Sequence, residues 1–319
     1  MSERTDNDVI LRAEEVTKIY PGTVALNKVD FNVFRGSVNA LVGENGAGKS
    51  TLTKILAGVE APTNGALFLE GNKVRIRSFH DAVAHGIGMI HQELNLCPNL
   101  NVAENIFVAR EITRGRVHID HKAQMAKAQK LLDRLQADID PKAEVANLRI
   151  GQQQIVEIAK ALALDTHILI MDEPTSALSA AEVEVLFKVI SDLKRDGVSI
   201  IYISHRLEEL LKIGDHITVL RDGNLVQEAR IQDIDIPWII SNMVGDTGDR
   251  KSAHTSQATN EEVLRVENLR LPRVGGGFTL DHLSFKLNKG EILGIYGLMG
   301  AGRSELFECL MGLHKEAKG

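Results

Sequence analysis

Cysteine is scarce in this 319-residue sequence, and its apolar runs are short. Cys97 and Cys309 lie far apart without a metal-ligand spacing, so we expect free, buried thiols in a reducing cytosol. No run approaches the 18 or more apolar residues of a transmembrane helix. The charged N-terminal stretch 1–15 lacks an apolar core, which argues against a secretory signal. We therefore expect any membrane role to come through a partner.

The sequence also has fewer positively than negatively charged residues. The 37 Lys and Arg residues are outnumbered by 43 Asp and Glu, which gives a net charge of −6. That balance argues against broad electrostatic binding to nucleic acid, because such binding depends on neutralising phosphates. The chain is long enough for one domain of about 250 residues and part of another.

Apolar runs and amphipathic helical patterns alternate along the first 245 residues. Residues 9–20 and 26–36 alternate apolar and polar side chains, as strands of an antiparallel sheet do. Continuous apolar runs at 37–42, 166–174 and 198–205 are bounded by turn signals, which is typical of buried parallel strands. The predicted fold class is therefore α/β, with a parallel sheet covered on both faces.

A glycine-rich segment, GENGAGKST at 43–51, follows the first of these buried runs and has the spacing G-x-x-x-x-G-K-[ST]. Its glycines allow a tight turn with inward N–H groups, and the helix that begins near Lys49 adds the positive end of its dipole. Lys49 can reach a β- or γ-phosphate, and Ser50 can ligate Mg²⁺. A flexible surface loop is the alternative, but strand, loop and helix occur in the required order. The candidate phosphate-binding residues are Gly43, Glu44, Asn45, Gly46, Ala47, Gly48, Lys49, Ser50 and Thr51.

Two acids, Asp172 and Glu173, end the apolar run HILIMDEP. Beside a phosphate loop, Asp172 is placed to hold Mg²⁺, and Glu173 can polarise a water for attack on a γ-phosphate. The alternative is that they are two solvated acids at a strand end. The glycine-rich loop upstream favours the catalytic interpretation over this alternative. The loop and the acids indicate a nucleotide site that kinases, GTPases and transport ATPases share.

Residues 280–306 repeat residues 26–52 at a constant offset of 254, with both glycine loops in register. Between the copies, residues 246–262 contain almost nothing apolar and are typical of a linker. We expect a complete domain at 9–245 and the N-terminal portion of a second copy at 263–319. The chain is then a fragment or truncated form of a tandem protein.

Five motifs occur in the order found in ABC ATPase cassettes, and over residues 9–245 the chain resembles that family. They are the phosphate loop, a glutamine loop with Gln92, the helix start LRIGQ, Asp172 with Glu173, and a strand that ends in His205. The resemblance implies a P-loop NTPase cassette with an antiparallel β subdomain and a helical subdomain. It also implies an ATPase that uses ATP and Mg²⁺.

Three stretches, 89–111, 151–162 and 200–210, narrow the resemblance to the ATP-binding subunits of bacterial carbohydrate importers, which carry two cassettes on one chain. That subfamily implies monosaccharide uptake at the cytoplasmic face of the inner membrane, as a peripheral subunit. The implied partners are permease subunits, a periplasmic sugar-binding protein acting indirectly, and the rest of the second cassette. The sequence does not identify the sugar.

The resemblance also assigns roles to single residues. Tyr20 would stack on adenine, and an edge or core tyrosine is the less favoured alternative. Gln92 would contact Mg²⁺, together with Ser50 and Asp172, and would also contact the attacking water. His205 would touch the γ-phosphate. Residues 95–107 would face the permease, unless their apolar positions are instead the core of the helical subdomain.

The chain departs from the family pattern in the signature and in the second loop. The signature is Leu148, Arg149, Ile150, Gly151 and Gln152, in which Arg149 replaces a serine that contacts nucleotide. Ser179 stands where many cassettes have aspartate. The second loop has Arg303 for lysine and Glu305 for a hydroxyl, so we expect a weak second site.

Two other classes of protein share parts of this pattern. ABC translation factors that act on ribosomes also carry tandem cassettes. In that class, the resemblance implies a long, basic, helical segment between the two cassettes. The linker here is short and not strongly basic, which disfavours RNA binding. A small-molecule kinase would leave the glutamine loop, the signature and the repeat unexplained.

Overall fold

A computed structural model of the protein describes residues 8–90, 94–115, 118–164, 166–245, 261–273, 276–297 and 301–319. The chain divides into two compact units, Met1–Asp246 and Thr247–Gly319. Gln92 and residues 246–260 of the expected linker lie outside the described residues. Among the helices that are described, none has the length and apolar character needed to cross a bilayer.

The first unit alternates strands and helices along the chain. Its strands are β1 (Val9–Tyr20), β2 (Thr23–Phe34), β3 (Val38–Val42), β4 (Asn64–Leu69), β5 (Asn72–Val74), β6 (Ile87–Ile90), β7 (Thr113–Arg114), β8 (His118–Ile119), β9 (Ile168–Asp172), β10 (Ser199–Ile203), β11 (His216–Arg221) and β12 (Asn224–Arg230). Its helices are α1 (Lys49–Leu56), α2 (Phe79–Ala84), α3 (Val102–Phe107), α4 (His121–Arg134), α5 (Ile150–Leu162), α6 (Ala180–Arg195), α7 (Leu207–Ile213) and α8 (Ile236–Val244).

The central sheet has the strand order β12-β11-β3-β10-β9-β6. The pairs from β11 to β6 are parallel, and β12 pairs antiparallel to β11 at the edge. Every residue of β3, β9 and β10 is buried, as the continuous apolar runs predicted. The predicted α/β fold with a parallel sheet is thus confirmed.

A separate antiparallel sheet, β2-β1-β4-β5, is built from the alternating segments at the N-terminus. Val16 of β1 pairs with Val29 of β2, and both are fully buried. The hairpin of β4 and β5, which the sequence pattern did not single out, extends this sheet on the far side of β1.

Two hydrophobic cores lie on opposite faces of the parallel sheet, because side chains alternate along each strand. In β9, Leu169 belongs to the core under helices α3 to α8, and Ile170 belongs to the core shared with α1 and the antiparallel sheet. Ile106 and Phe107 of α3 are buried in the first of these cores. The apolar positions of 102–107 are therefore core of the helical subdomain, which was one of the two interpretations.

The second unit contains β13 (Glu262–Pro272), β14 (Phe278–Asn288) and α9 (Arg303–Leu310). Its helix α9 starts 254 residues after α1 and has the same length of 8 residues. Gly48 and Gly302 precede these helices with positive φ angles of 102° and 83°. An added Cβ would lie 2.7 Å from Leu26 Cδ2 in the first unit and 2.8 Å from Leu280 Cδ2 in the second. At this turn and helix the sequence repeat is thus also a repeat of backbone geometry.

One predicted strand of the second unit is not formed. Residues 291–297 align with β3 but have no strand structure, and Ile292 and Tyr296 are more than nine-tenths exposed. The strand β3 exists because β10 and β11 flank it on both sides. Within the described part of the second unit no strand pairs with 291–297, so the apolar run has no partner.

The expectation of buried thiols was wrong. Cys97 is exposed on the loop before α3, and Cys309 near the end of α9 is half-buried. The spacing of the two cysteines argued against a metal site, but it carries no information on burial, which is set by tertiary packing.

Candidate functional site

The phosphate loop follows β3 and is shaped by glycines that no other residue could replace without strain. At Gly43 a Cβ would lie 2.3 Å from the carbonyl oxygen of Leu220, and at Gly48 it would lie 2.7 Å from that of Ala25. At Gly46, by contrast, a Cβ would meet nothing within 4 Å. The loop is therefore packed against the fold on one side and open on the other, as a phosphate cradle must be.

Lys49, the first residue of α1, folds back over this loop. Its Nζ donates hydrogen bonds to the carbonyl oxygens of Gly43, at 2.7 Å, and Glu44, at 3.0 Å. Burial lowers the pKa of Lys49, and the charges of Asp172 and Glu173 oppose that shift. The ammonium group thus sits in an acidic site where it can exchange its carbonyl partners for phosphate oxygens.

Asp172 ends β9 and is buried, with 7% of its surface exposed. Burial and then the charge of Glu173 raise its pKa, whereas the charge of Lys49 lowers it. A buried carboxylate in such surroundings gains stability from additional positive charge.

Glu173 and His205 follow neighbouring strands of the sheet, β9 and β10. The Nδ1 atom of His205 lies 3.3 Å from the Oε1 atom of Glu173. The amide of Glu173 donates a hydrogen bond to the carbonyl oxygen of Ile203 at 3.0 Å, which ties the two strand ends together. Glu173 has a φ of 49°, a left-handed conformation that is rare for glutamate and typical of functional turns.

These elements surround a cavity of about 150 Å³ next to the phosphate loop. It is lined by Gly43, Glu44, Asn45, Lys49, Glu173, Ser204, His205 and Leu207, and by Ile240, Met243 and Val244 of α8. The predicted phosphate clamp, the acid and the histidine therefore meet in one place.

Sequence reasoning missed the contribution of α8. The helix itself carries a readable start signal, since Asp235 accepts a hydrogen bond from the amide of Trp238 and Pro237 stands at the first helical turn. Its position beside the phosphate loop follows from tertiary packing across some two hundred residues, which no local pattern encodes.

Tyr20 does not line this cavity. It ends β1, half-buried, and the Lys18 ammonium group lies 5.0 Å from the centroid of its ring. Gln92 lies outside the described residues, so its predicted position next to the acids is not seen.

The signature residues 148–152 also lie apart from the cavity, at the start of α5. The amide of Arg149 donates to Oε1 of Gln152 at 3.1 Å, and Ile150 is 66% exposed. A Cβ on Gly151 would lie 3.1 Å from the carbonyl oxygen of Ala177, so the signature packs against the segment that leads into α6. Ser179 in that segment caps α6 by a reciprocal pair of hydrogen bonds with Glu182.

The donor set at this site fits Mg²⁺. Ser50 is exposed in the first turn of α1, and the carboxylate of Asp172 lies at the end of β9, two strands from β3 in the sheet, so hydroxyl and carboxylate oxygens are both present. Hard oxygen ligands of this kind are the ones that Mg²⁺ prefers, with phosphate oxygens completing its shell. Over the described residues, no group of three His, Cys, Asp or Glu side chains could hold a metal without such help.

The cradle after β3, the acids after β9 and the histidine after β10 define a P-loop nucleotide-binding cassette. A sequence profile of the ABC transporter family matches residues 26–176 and again 280–319. The chain belongs to this family.

Solved structures agree with that assignment of the fold. A nucleotide-free ATP-binding cassette from an ABC transporter superposes with a TM-score of 0.65 at 26% identity, over 75% of this chain and all of that one. A dimeric cassette in a post-hydrolysis state, bound to ADP and Pi, gives 0.62 at 26% identity, over 69% of this chain and 98% of that one.

Curated relatives are more similar in sequence. The ribose import ATP-binding protein RbsA of Rhodopirellula baltica is 49% identical over 98% of this chain and 61% of its own length. A putative ribose/galactose/methyl galactoside import ATP-binding protein of Agrobacterium fabrum is 47% identical over 97% and 60%. RbsA of Caldanaerobacter subterraneus is 44% identical over 97% and 62%. The chain thus spans about three fifths of the length of these relatives.

Proposed function

We propose that this chain binds ATP and hydrolyses it to power the import of a sugar through a membrane permease. The observation that carries the proposal is the convergence of Lys49, Glu173 and His205 on one cavity beside the phosphate loop. A cation, a carboxylate and an imidazole around a phosphate cradle supply the groups that transfer of a γ-phosphoryl group to water requires.

In this proposal the loop 43–51 holds the phosphates. Its amide groups and the amino-terminal end of α1 face the anion, and Lys49 moves from its carbonyl partners to the β- and γ-phosphates. Tyr20 stacks its ring on adenine. Lys18 already lies over this ring at 5.0 Å, so the base would use the opposite face.

Glu173 is the proposed general base and accepts the proton of the attacking water. His205, whose Nδ1 lies 3.3 Å from the Glu173 carboxylate, holds that carboxylate and contacts the γ-phosphate. Ser50, Asp172 and Gln92 would hold Mg²⁺, which when bound supplies positive charge against the phosphate oxygens.

We further propose that the permease docks over a groove of about 360 Å³ in the first unit. Its apolar lining includes Phe79, Val83, Met89, Val108 and Leu164, and its charged lining includes Glu157 and Lys160. The exposed loop 95–99 borders it, held by Asn105, whose amide donates to the carbonyl oxygen of Cys97 at 3.0 Å. An apolar groove with a polar edge suits a short segment of a membrane protein.

The relatives support the transport function, since all three named above are import ATP-binding proteins for ribose or related sugars. We propose that this chain acts as a peripheral subunit at the cytoplasmic face of the inner membrane, on a monosaccharide that a periplasmic binding protein delivers. The names of these relatives give no support to the translation-factor alternative.

The proposal includes the domain boundaries that the sequence predicts. We propose residues 9–245 as the first nucleotide-binding domain, 246–262 as the linker, and 263–319 as the N-terminal portion of a second nucleotide-binding domain. We propose, as the resemblance to ABC cassettes implies, that each phosphate loop is completed by the signature of the opposite cassette. The exposed Ile150 next to Gly151 gives the signature a surface suited to such a contact.

The test is reconstitution with the permease and binding protein. We expect ATP-dependent uptake of one pentose or hexose from a panel, and we expect Glu173→Gln to abolish uptake while ATP still binds. Failure to co-purify with a permease, or ATP hydrolysis that responds to ribosomes instead of sugar-loaded binding protein, would contradict the proposal.

A further inference from the structure

A buried carboxylate lies directly behind the proposed catalytic pair. Glu209 in α7 is 7% exposed, and its Oε2 atom accepts hydrogen bonds from three hydroxyl groups. The donors are Thr175 Oγ1 at 3.0 Å, Tyr202 OH at 2.9 Å and Ser204 Oγ at 3.0 Å. All three are themselves buried, so this network lies inside the protein and does not face solvent.

Two of these donors belong to the turns that carry the proposed catalytic groups. Thr175 stands two residues after Glu173, at the carboxyl end of β9. Ser204 directly precedes His205, at the carboxyl end of β10. The strands β9 and β10 are neighbours in the sheet, and the Glu209 carboxylate joins their two turns through one oxygen atom.

The third donor, Tyr202, lies inside β10 and in neither turn. Burial, and then the charge of Glu209, raise the pKa of Tyr202 far above its ordinary value, so its hydroxyl remains a donor. Tyr202 therefore anchors the carboxylate to the sheet, whereas Thr175 and Ser204 attach the turns to the carboxylate.

Burying the charged carboxylate of Glu209 carries a large desolvation penalty, even though it accepts hydrogen bonds from three hydroxyl groups. The cation that faces Glu209 is Arg206, whose guanidinium lies 3.3 Å from Oε1 and is half exposed. Neutral side chains could accept the same bonds with a smaller desolvation penalty. Hydrogen bonds to a carboxylate are, however, shorter and stronger than neutral ones, and they fix geometry more firmly.

We propose that Glu209 is a positioning residue for ATP hydrolysis, which holds the Glu173 turn and the His205 turn at a fixed distance from each other. This inference rests on the proposed roles of Glu173 and His205. Their separation of 3.3 Å spans two strand ends, and Glu209 is the side chain bonded to both of those turns. A shift of about 1 Å between reacting groups can cost a hundredfold in rate.

The decisive experiment compares two hydroxyl deletions on the same carboxylate oxygen, Thr175→Val and Tyr202→Phe. The measurements are ATP affinity, kcat and the melting temperature of the protein in its complete membrane complex. Each variant removes one buried hydrogen bond, so both should lower the melting temperature. Thr175→Val detaches a catalytic turn directly, whereas Tyr202→Phe leaves both turns bonded to the carboxylate. We therefore expect Thr175→Val to have a kcat about tenfold lower than that of Tyr202→Phe, with ATP affinity within about threefold of wild type.

Substitutions of Glu209 itself extend the comparison. We expect Glu209→Gln, which keeps one acceptor oxygen, to retain more kcat than Glu209→Ala. Asp215→Ala serves as control for stability, because that carboxylate accepts from the Val38 amide at 2.8 Å at the opposite end of the sheet. If Glu209→Ala does not fold, the two hydroxyl deletions still decide the question.

The outcomes separate this inference from the proposed function. If Glu173→Gln is inactive while Thr175→Val and Tyr202→Phe have equal kcat values, ATP hydrolysis by Glu173 stands and the positioning role of Glu209 is overturned. If Asp215→Ala lowers kcat as much as Glu209→Gln at an equal melting temperature, the effect is one of stability and the inference also fails. Wild-type turnover in Glu173→Gln would instead remove the proposed base.

Discussion

The ammonium group of Lys49 is bound by the carbonyl oxygen of Gly43, 2.7 Å away, so the two ends of the phosphate loop are joined through a side chain. The lysine that is proposed to clamp phosphate thus also closes the loop. Replacing these carbonyl partners by phosphate oxygens exchanges neutral acceptors for charged ones, which are the stronger partners for an ammonium group.

The first prediction separates binding from turnover. Lys49→Ala should lose ATP binding, because it removes both the phosphate contact and the bond that closes the loop. Glu173→Gln should keep ATP affinity and lose turnover by about 10² to 10⁴, the usual range for removal of a general base. Equilibrium binding and steady-state hydrolysis by the transporter complex check both. An active Glu173→Gln variant would show that another group takes the proton.

The second prediction concerns the base of the nucleotide. Tyr20→Ala should weaken ATP binding by about 1–3 kcal/mol, because it removes a stacking surface, and Tyr20→Phe should have little effect. Affinities for ATP and GTP should fall in parallel, since stacking tolerates any base. Equal losses in Tyr20→Ala and Tyr20→Phe would indicate that the hydroxyl matters instead.

The third prediction concerns pH and Glu157, which lines the groove and is 4% exposed. Burial raises its pKa above the ordinary value of 4.5, and Lys160, whose Nζ lies 3.6 Å away, only partly opposes the shift. The folded protein therefore holds this proton more tightly than the unfolded chain. The stability gained is fully present below the ordinary pKa and is lost as pH rises through the raised folded pKa.

Glu157→Gln should accordingly unfold at a higher temperature than wild type near pH 7 and at about the same temperature near pH 4. Lys160 keeps a partner in this variant, because its Nζ also donates to the carbonyl oxygen of Asn95 at 2.7 Å. Glu184→Gln, which removes an exposed ion pair with Lys212, is the matched control and should change stability by less than about 1 kcal/mol at either pH. Thermal unfolding at both pH values is the measurement.

The fourth prediction concerns the unequal contributions of the two glycine loops, 43–51 and 297–305, to ATP turnover. In the complex, Arg303→Ala should leave most of the ATP turnover intact, whereas Lys49→Ala should abolish it. Arginine binds as a planar fork and does not replace a P-loop lysine, so little activity depends on it. Hydrolysis that Arg303→Ala abolishes and Lys49→Ala spares would reverse the assignment of the strong and weak sites.

Much of this site could be predicted from the sequence because its parts are local. The loop at 43–51, the acids after β9 and His205 after β10 each follow a buried strand, and carboxyl ends of parallel strands meet at one edge of a sheet. The contributions of α8 and Glu209 could not be predicted in this way. Ile240 reaches the cavity through tertiary packing, and Glu209 has no distinction in sequence from the adjacent Glu208.

In the second unit, the sequence pattern predicts a strand that the described residues do not form. Residues 291–297 have the apolar pattern of a central strand, yet they are not a strand in the described structure. A parallel strand obtains its hydrogen bonds from neighbours that are distant in sequence, so the pattern alone cannot form it. The helix α9 needs no such neighbours, because its hydrogen bonds are internal, and it forms as predicted.

The paired glycines before α1 and α9 also show which loop position the fold requires in both copies. In the second copy the residues that the fold constrains are the buried Gly302 and Leu306, whereas Arg303, where the lysine would stand, is exposed. Folding and nucleotide chemistry therefore depend on different positions of the same short loop. A second copy can therefore lose the lysine at this position and still keep the glycine turn and the helix that follows it.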